Sequence, residues 1–128
     1  MSKRDLGKLG EDTAKKYFEN LGYKVITCNF YSSYGEIDII AQEDKYIVFV
    51  EVRARKEDSI VTPAESVNKR KIDRILKTAY VYLKSNPTGL QPRFDIFEVF
   101  WDKAKKPDVK RVNYIKNAFY QEEEYAVF

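Results

Sequence analysis

Apolar positions near the start of the chain recur at helical spacing. Leu6, Leu9, Thr13, Ala14, Tyr17, Phe18 and Leu21 fall on one face, and Gly22 follows as a C-cap glycine would. The period then shortens to that of strands. Tyr23 to Phe30, Glu36 to Gln42 and Tyr46 to Arg55 read as three strands, with Gln42-Glu43-Asp44-Lys45 as the hairpin loop between the last two. Thr62-Pro63 opens a second helix, with threonine at the cap, proline in the first turn and Glu65 three residues past the cap. Its apolar face is Val67, Ile72, Ile75, Leu76, Ala79, Tyr80 and Leu83. After the break Asn86-Pro87-Thr88-Gly89, Arg93 to Trp101 alternates as a strand, and Val109 to Ile115 makes a last, weaker one. The predicted order is α-β-β-β-α-β-β. No internal repeat divides it, so residues 1–120 read as one domain and 121–128, with Glu122-Glu123-Glu124, as an acidic solvated tail.

Two of these strands break their own pattern. Gly35-Glu36-Ile37-Asp38-Ile39-Ile40 and Val48-Phe49-Val50-Glu51-Val52-Arg53 are apolar enough to be buried, yet each carries acids. An unpartnered buried carboxylate is costly, so acids on adjacent strands call for a cation between them. Side chains two apart share a strand face, which groups Glu36 with Asp38 and Glu51 with Arg53. Paired as an antiparallel hairpin, the strands bring Asp38 and Glu51 within reach of one hard divalent ion at the rim of the sheet. A basic side chain beside that ion suits a developing phosphate charge. The plainer reading is a solvated face whose cross-strand ion pairs contribute about 0.2–1 kcal/mol each.

Composition narrows the chemistry. The chain has 128 residues and no histidine, which removes histidine bases and histidine-ligated zinc. Its single cysteine, Cys28, sits in an apolar strand and reads as a core residue, leaving no disulfide framework or thiolate cluster. Catalysis is left to carboxylates, cations, tyrosines and a hard metal. No apolar run approaches the roughly 20 residues of a membrane span, and the N-terminus reads as a charged helix rather than a signal peptide. A cytoplasmic location without membrane contact is expected. From Arg53 to Lys77 the chain carries eight basic residues against four acidic ones, although the whole molecule is only +3. That concentration suits a phosphate backbone, and a solvated helix face is its ordinary alternative. Tyr31-Ser32-Ser33-Tyr34 reads as a mobile loop over a substrate.

Four ordered motifs carry a family resemblance: Gly10-Glu11-Asp12-x-Ala14, Gly35-Glu36-Ile37-Asp38-Ile39-Ile40-Ala41, Phe49-Val50-Glu51-Val52-Arg53-x-Arg55 and Pro63-Ala64-Glu65-x-Val67, with Ile115-x-Asn117-Ala118-Phe119 closing the chain. From about Leu6 to Phe119 the sequence resembles the small bacterial YraN-like proteins. These are assigned to the restriction-endonuclease-like (PD-(D/E)XK) superfamily, which includes archaeal Holliday-junction resolvases. The resemblance implies an α/β restriction-endonuclease-like fold, a central mixed sheet flanked by helices.

Carried over by position, the resemblance gives the catalytic set Glu11, Asp38, Glu51 and Arg53, with Asp38, Glu51 and Glu11 holding Mg²⁺ or Mn²⁺ and Glu36 as auxiliary. Arg55, Lys69, Lys71 and Arg74 are the expected nucleic-acid contacts, Lys71 standing at the family's recurrent helix lysine. The implied partner is DNA, branched or a recombination intermediate. A homodimer would match the two-fold symmetry of a junction, although no position marks a dimer face. The implied activity is metal-dependent endonucleolytic hydrolysis. Arg53 is a departure, because the superfamily usually has lysine there. Arginine stabilises phosphate charge but is a poor proton shuttle. The alternative is therefore a nucleic-acid-binding protein of the same fold with weak or no turnover.

Overall fold

The computed structural model describes residues 2–57, 68–102 and 108–119. Helix α1 (Lys3–Asn20) opens on a reciprocal cap: the Ser2 hydroxyl accepts from the Asp5 amide at 3.1 Å, while the Asp5 carboxylate accepts from the Ser2 amide. It closes as a Schellman turn, with Gly22 at φ 88° and the Tyr23 amide bonded to the Phe18 carbonyl at 2.9 Å. Gly10, Ala14 and Phe18, four apart, make its buried stripe. Gly10 eases the approach to the sheet, because a Cβ there would lie 3.1 Å from Val52 Cγ1, a tight contact.

Five strands follow the predicted order: β1 (Lys24–Ser32), β2 (Gly35–Glu43), β3 (Tyr46–Lys56), β4 (Gln91–Trp101) and β5 (Val109–Phe119). They form one mixed sheet in chain order. β3 and β4 are parallel, as the crossover through α2 (Lys69–Ser85) requires, and the other pairs are antiparallel. The helices take opposite faces. Ala14 and Phe18 of α1 pack with Ile39, Ala41, Val48, Val50, Phe97 and Val99. Ile75, Leu76, Ala79 and Tyr82 of α2 pack with Ile40, Ile47, Phe49, Phe94 and Ile96. Among the described residues no helix is long and apolar enough to cross a membrane.

Some expectations change. The helix start at Thr62-Pro63 lies outside the described residues. The helix that is described begins at Lys69, where the Asn68 side chain caps the Lys71 amide at 2.9 Å. Tyr82, not Tyr80, fills its apolar face, and Tyr80 is exposed. In the segment Tyr31-Ser32-Ser33-Tyr34 the first two residues end β1 and only Ser33 and Tyr34 make the turn; the Ser32 hydroxyl lies 3.0 Å from the Thr78 hydroxyl of α2.

The alternation of β2 also slips once. Ile37 packs on the α2 side but Ile39 on the α1 side, and across the ladder Phe30 and Cys28 divide the same way. Asn29, between them in the left-handed region at φ 55°, turns the chain over. Asp38 stands opposite Asn29 in this register, at the point where the two faces exchange.

Candidate metal centre and nucleic-acid face

The acids sit where the inner hairpin opens. The β2–β3 ladder ends at Ile39 and Val50, so the next residues along each strand are Asp38 and Glu51. Beyond that point Asp38 takes over a strand's role: its Oδ2 accepts the Val52 amide at 2.7 Å. Both acids line one cavity of about 260 Å³ with Gly35, Glu36, Lys71 and Arg74. Glu51 is buried, and its Oε1 receives Lys71 Nζ at 3.1 Å and Arg53 Nη1 at 3.4 Å. Asp38 has a hydrogen bond with Glu36 but no cation of its own among the described ion pairs.

That imbalance governs its protonation. Burial first, then the Glu51 charge, raise the Asp38 pKa to about 8; the Val52 amide opposes this and Glu36 adds to it. Folded protein therefore keeps a proton that an unfolded aspartate loses near about pH 3.9. Because the native state binds the extra proton, stability is expected to fall as pH rises from about 4 to about 8 and to level off above that. Thermal melts of the wild type and Asp38→Asn across this range check it. The variant should lose the slope, and parallel curves would show that Asp38 ionises normally.

Glu11 is held by α1 on the other side of the hairpin. It lines a second cavity, of about 590 Å³, with Arg4, Lys8, Lys15, Tyr31 and Glu36. Glu36 lines both cavities and stands between them. The structure thus brings Asp38, Glu51 and Glu36 together and sets Glu11 one side chain further out. Among the described residues no three acids or thiols converge as a complete metal shell. A two-carboxylate site still fits Mg²⁺, which takes few protein oxygens and fills its octahedron with water and phosphate. The donor set is hard oxygen throughout, and a divalent ion would take the place of the proton that Asp38 otherwise keeps.

The cations divide by place. Lys71 and Arg74 line the acid cavity, while Arg55 is turned to Glu98, its Nε 2.7 Å from Oε2. Lys69, at the first turn of α2, is not part of the described cavity lining. Glu98 is the residue that sequence reasoning missed. It is fully buried on β4, opposite Arg53 in the parallel register, and among the described residues its Oε1 has no hydrogen-bond partner. The signal was present: Phe97-Glu98-Val99 is the same acid-in-apolar anomaly that marked Asp38 and Glu51.

Two helices on opposite faces of a five-stranded mixed sheet, with paired acids at the opening of its inner hairpin, define an α/β protein with a candidate metal-binding cleft. The chain belongs to the Uncharacterised protein family UPF0102, whose model matches residues 10–99. This is the family to which the four ordered motifs pointed. It is 47% identical to a UPF0102 protein of Sulfurihydrogenibium over 75% of this chain and 84% of that one. It is 42% identical to one from Caldanaerobacter subterraneus over 93% and 98% of the two chains. A relative from Syntrophomonas wolfei is 38% identical over 91% and 98%.

Proposed function

We propose that this protein is a Mg²⁺- or Mn²⁺-dependent DNA endonuclease of the restriction-endonuclease-like superfamily, acting on structured or branched DNA. The observation that carries the reading is the pair Asp38 and Glu51, side by side in one cavity with Lys71 on Glu51. Asp38 and Glu51 would hold the ion, with Glu36 or Glu11 acting through water. A bound divalent ion supplies acidified water and charge neutralisation at the scissile phosphate. The chain does the rest. Arg74, exposed at the cavity, draws in the phosphate, and Arg53 faces the charge that develops on it. Lys71, whose ammonium reaches Glu51 from α2, supplies the compact donor that Arg53 cannot.

A second reading, a binding protein with weak turnover, is favoured by Arg53 itself and by two cations already occupying Glu51 Oε1. Calorimetric titration with Mn²⁺, followed by incubation with linear, flapped and four-way DNA, separates the two. The nuclease reading expects binding that releases close to one proton at neutral pH, since Asp38 must ionise, and cleavage of at least one substrate. Salt-sensitive DNA binding without cutting in any divalent metal would leave the binding protein.

A further inference from the structure

The β1–β2 turn carries features that the acid cluster does not use. Tyr31 is 67% exposed and Tyr34 49% exposed, on a tip fixed to α2 through Ser32 and Thr78. Among the described residues the other tyrosines and phenylalanines mostly serve the core: Tyr17, Phe18, Tyr23 and Tyr114 form one ring cluster, and Phe30, Phe49 and Tyr82 another. Large aromatic faces left in water beside a charged cleft are the informative kind of exposure. A groove of about 570 Å³ runs from the tip along α2, lined by Tyr34, Arg70, Arg74 and Lys77. The three cations, at i, i+4 and i+7, make one exposed stripe. Asp73 offsets part of it, 3.0 Å from Lys77 Nζ, and the same ammonium stands over the Tyr34 ring. The groove shares Gly35 and Arg74 with the acid cavity, so the two adjoin. On the other side of the tip, Tyr31 lines the Glu11 cavity, where Arg4, Lys8 and Lys15 are balanced by Glu11, Asp12 and Glu36.

We infer that the turn is a stacking platform for an unpaired DNA strand, whose bases lie on Tyr31 and Tyr34 while its phosphates follow Arg70, Arg74 and Lys77 into the acid cavity. This deepens the nuclease reading and rests on it for the end point of the track. The chemistry selects single strand over duplex. Aromatic platforms interleaved with cations bind splayed bases, which a paired duplex keeps stacked within itself. The anchored turn suits this, since a platform held in place costs little to order.

Fluorescence anisotropy without divalent metal, using a labelled oligothymidylate of about 15 nucleotides and a blunt duplex, tests it. Single strand should bind more tightly than duplex. Tyr31→Ala and Tyr34→Ala should each weaken single-strand binding about fivefold or more and leave duplex binding unchanged, with the phenylalanine variants restoring it. Arg70→Gln should weaken both and flatten the salt dependence. Alanine variants that bind single strand as the wild type does, or a wild type that prefers duplex, overturn the inference. Cleavage is scored separately: stacking with no cutting in Mn²⁺ would leave the platform and remove the nuclease, and cutting with no stacking would do the reverse.

Discussion

Glu51→Gln is expected to lower Mn²⁺-supported DNA cleavage by more than about 100-fold while metal-free DNA binding is retained or strengthened. Loss of a group that merely orients a ligand costs about 10–100-fold, so loss of a ligand itself should exceed that. Binding should not suffer, because Glu51 is buried and its removal frees Lys71 and Arg53 from their ion pairs. Two companion variants decide which cation serves the reaction. If Lys71 supplies the compact donor, Lys71→Met lowers the cleavage rate under saturating DNA, and Arg53→Met chiefly weakens transition-state charge stabilisation. Arg53→Lys is the sharper comparison. A gain in rate would mean that arginine attenuates an otherwise intact site; an unchanged rate would mean that Lys71 already fills the role. Single-turnover cleavage alongside Mn²⁺ titration reads all of these. A Glu51→Gln protein that binds Mn²⁺ and cuts DNA as the wild type does would remove the proposed centre.

Much of this site was legible before any coordinates, for a reason that can be named. Asp38 and Glu51 are misplaced by the logic of a buried strand, and the hairpin between them has few ways to close. The cost of a buried charge is therefore written into the sequence wherever an acid interrupts an apolar run. The same logic applied to Asp95 and Glu98 would have found two more buried acids, but their partners are not neighbours in the chain. Arg55 is 43 residues from Glu98, and Tyr114 is 19 from Asp95. Strand alternation, trusted across the whole of β2, could not foresee that Asn29 turns β1 over and lets Ile37 and Ile39 face opposite cores. An asparagine tolerates the left-handed region without announcing it. The apolar face of the second helix is legible apart from Tyr82 in place of Tyr80, its described first turn is capped by Asn68, and the start expected at Thr62-Pro63 lies outside the described residues. Tyr31-Ser32-Ser33-Tyr34 looks like a loop from composition; in the fold Tyr31 and Ser32 continue β1, and Ser32 meets Thr78, 46 residues away.

The second large effect falls on the α1 face of the sheet, beside Val50, on stability. Asp95 is fully buried on β4, and its two oxygens are shared among four donors. Arg93 gives Nε at 3.0 Å and Nη2 at 2.8 Å, the Asn117 amide donates at 2.8 Å, and Tyr114 donates its hydroxyl. Arg93 also pairs with Glu43 at the β2–β3 turn, and Lys116 reaches the same glutamate at 3.0 Å. β5 is thereby tied to β4 and to the far hairpin. Burial opposes the Arg93 charge, but its bonds to Asp95 and then Glu43 outweigh this and raise its pKa above the ordinary arginine value. Burial and the bond to Asp95 likewise raise Tyr114, which keeps its hydroxyl a donor. Asp95→Ala leaves the buried Arg93 guanidinium with Glu43 as its remaining carboxylate and takes the acceptor from two further donors, so it should cost about 3–5 kcal/mol, a large part of an ordinary domain's 5–15. For a chain of this length that is a fall in Tm of about 10–20 °C. Asp12→Ala, which breaks the exposed i,i+4 pair with Lys8, should change stability by less than about 1 kcal/mol. Restoring apolar fit with Asp95→Leu and Arg93→Met together should recover part of the loss, because the cost lies in the unpaired charge more than in the missing pair. Asp95 does not line the acid cavity, so cleavage per folded molecule at low temperature should be unaffected. A melting curve of Asp95→Ala superimposable on the wild type would mean that water or a neighbour satisfies Arg93 as well as the carboxylate does, and that the fold does not depend on this network.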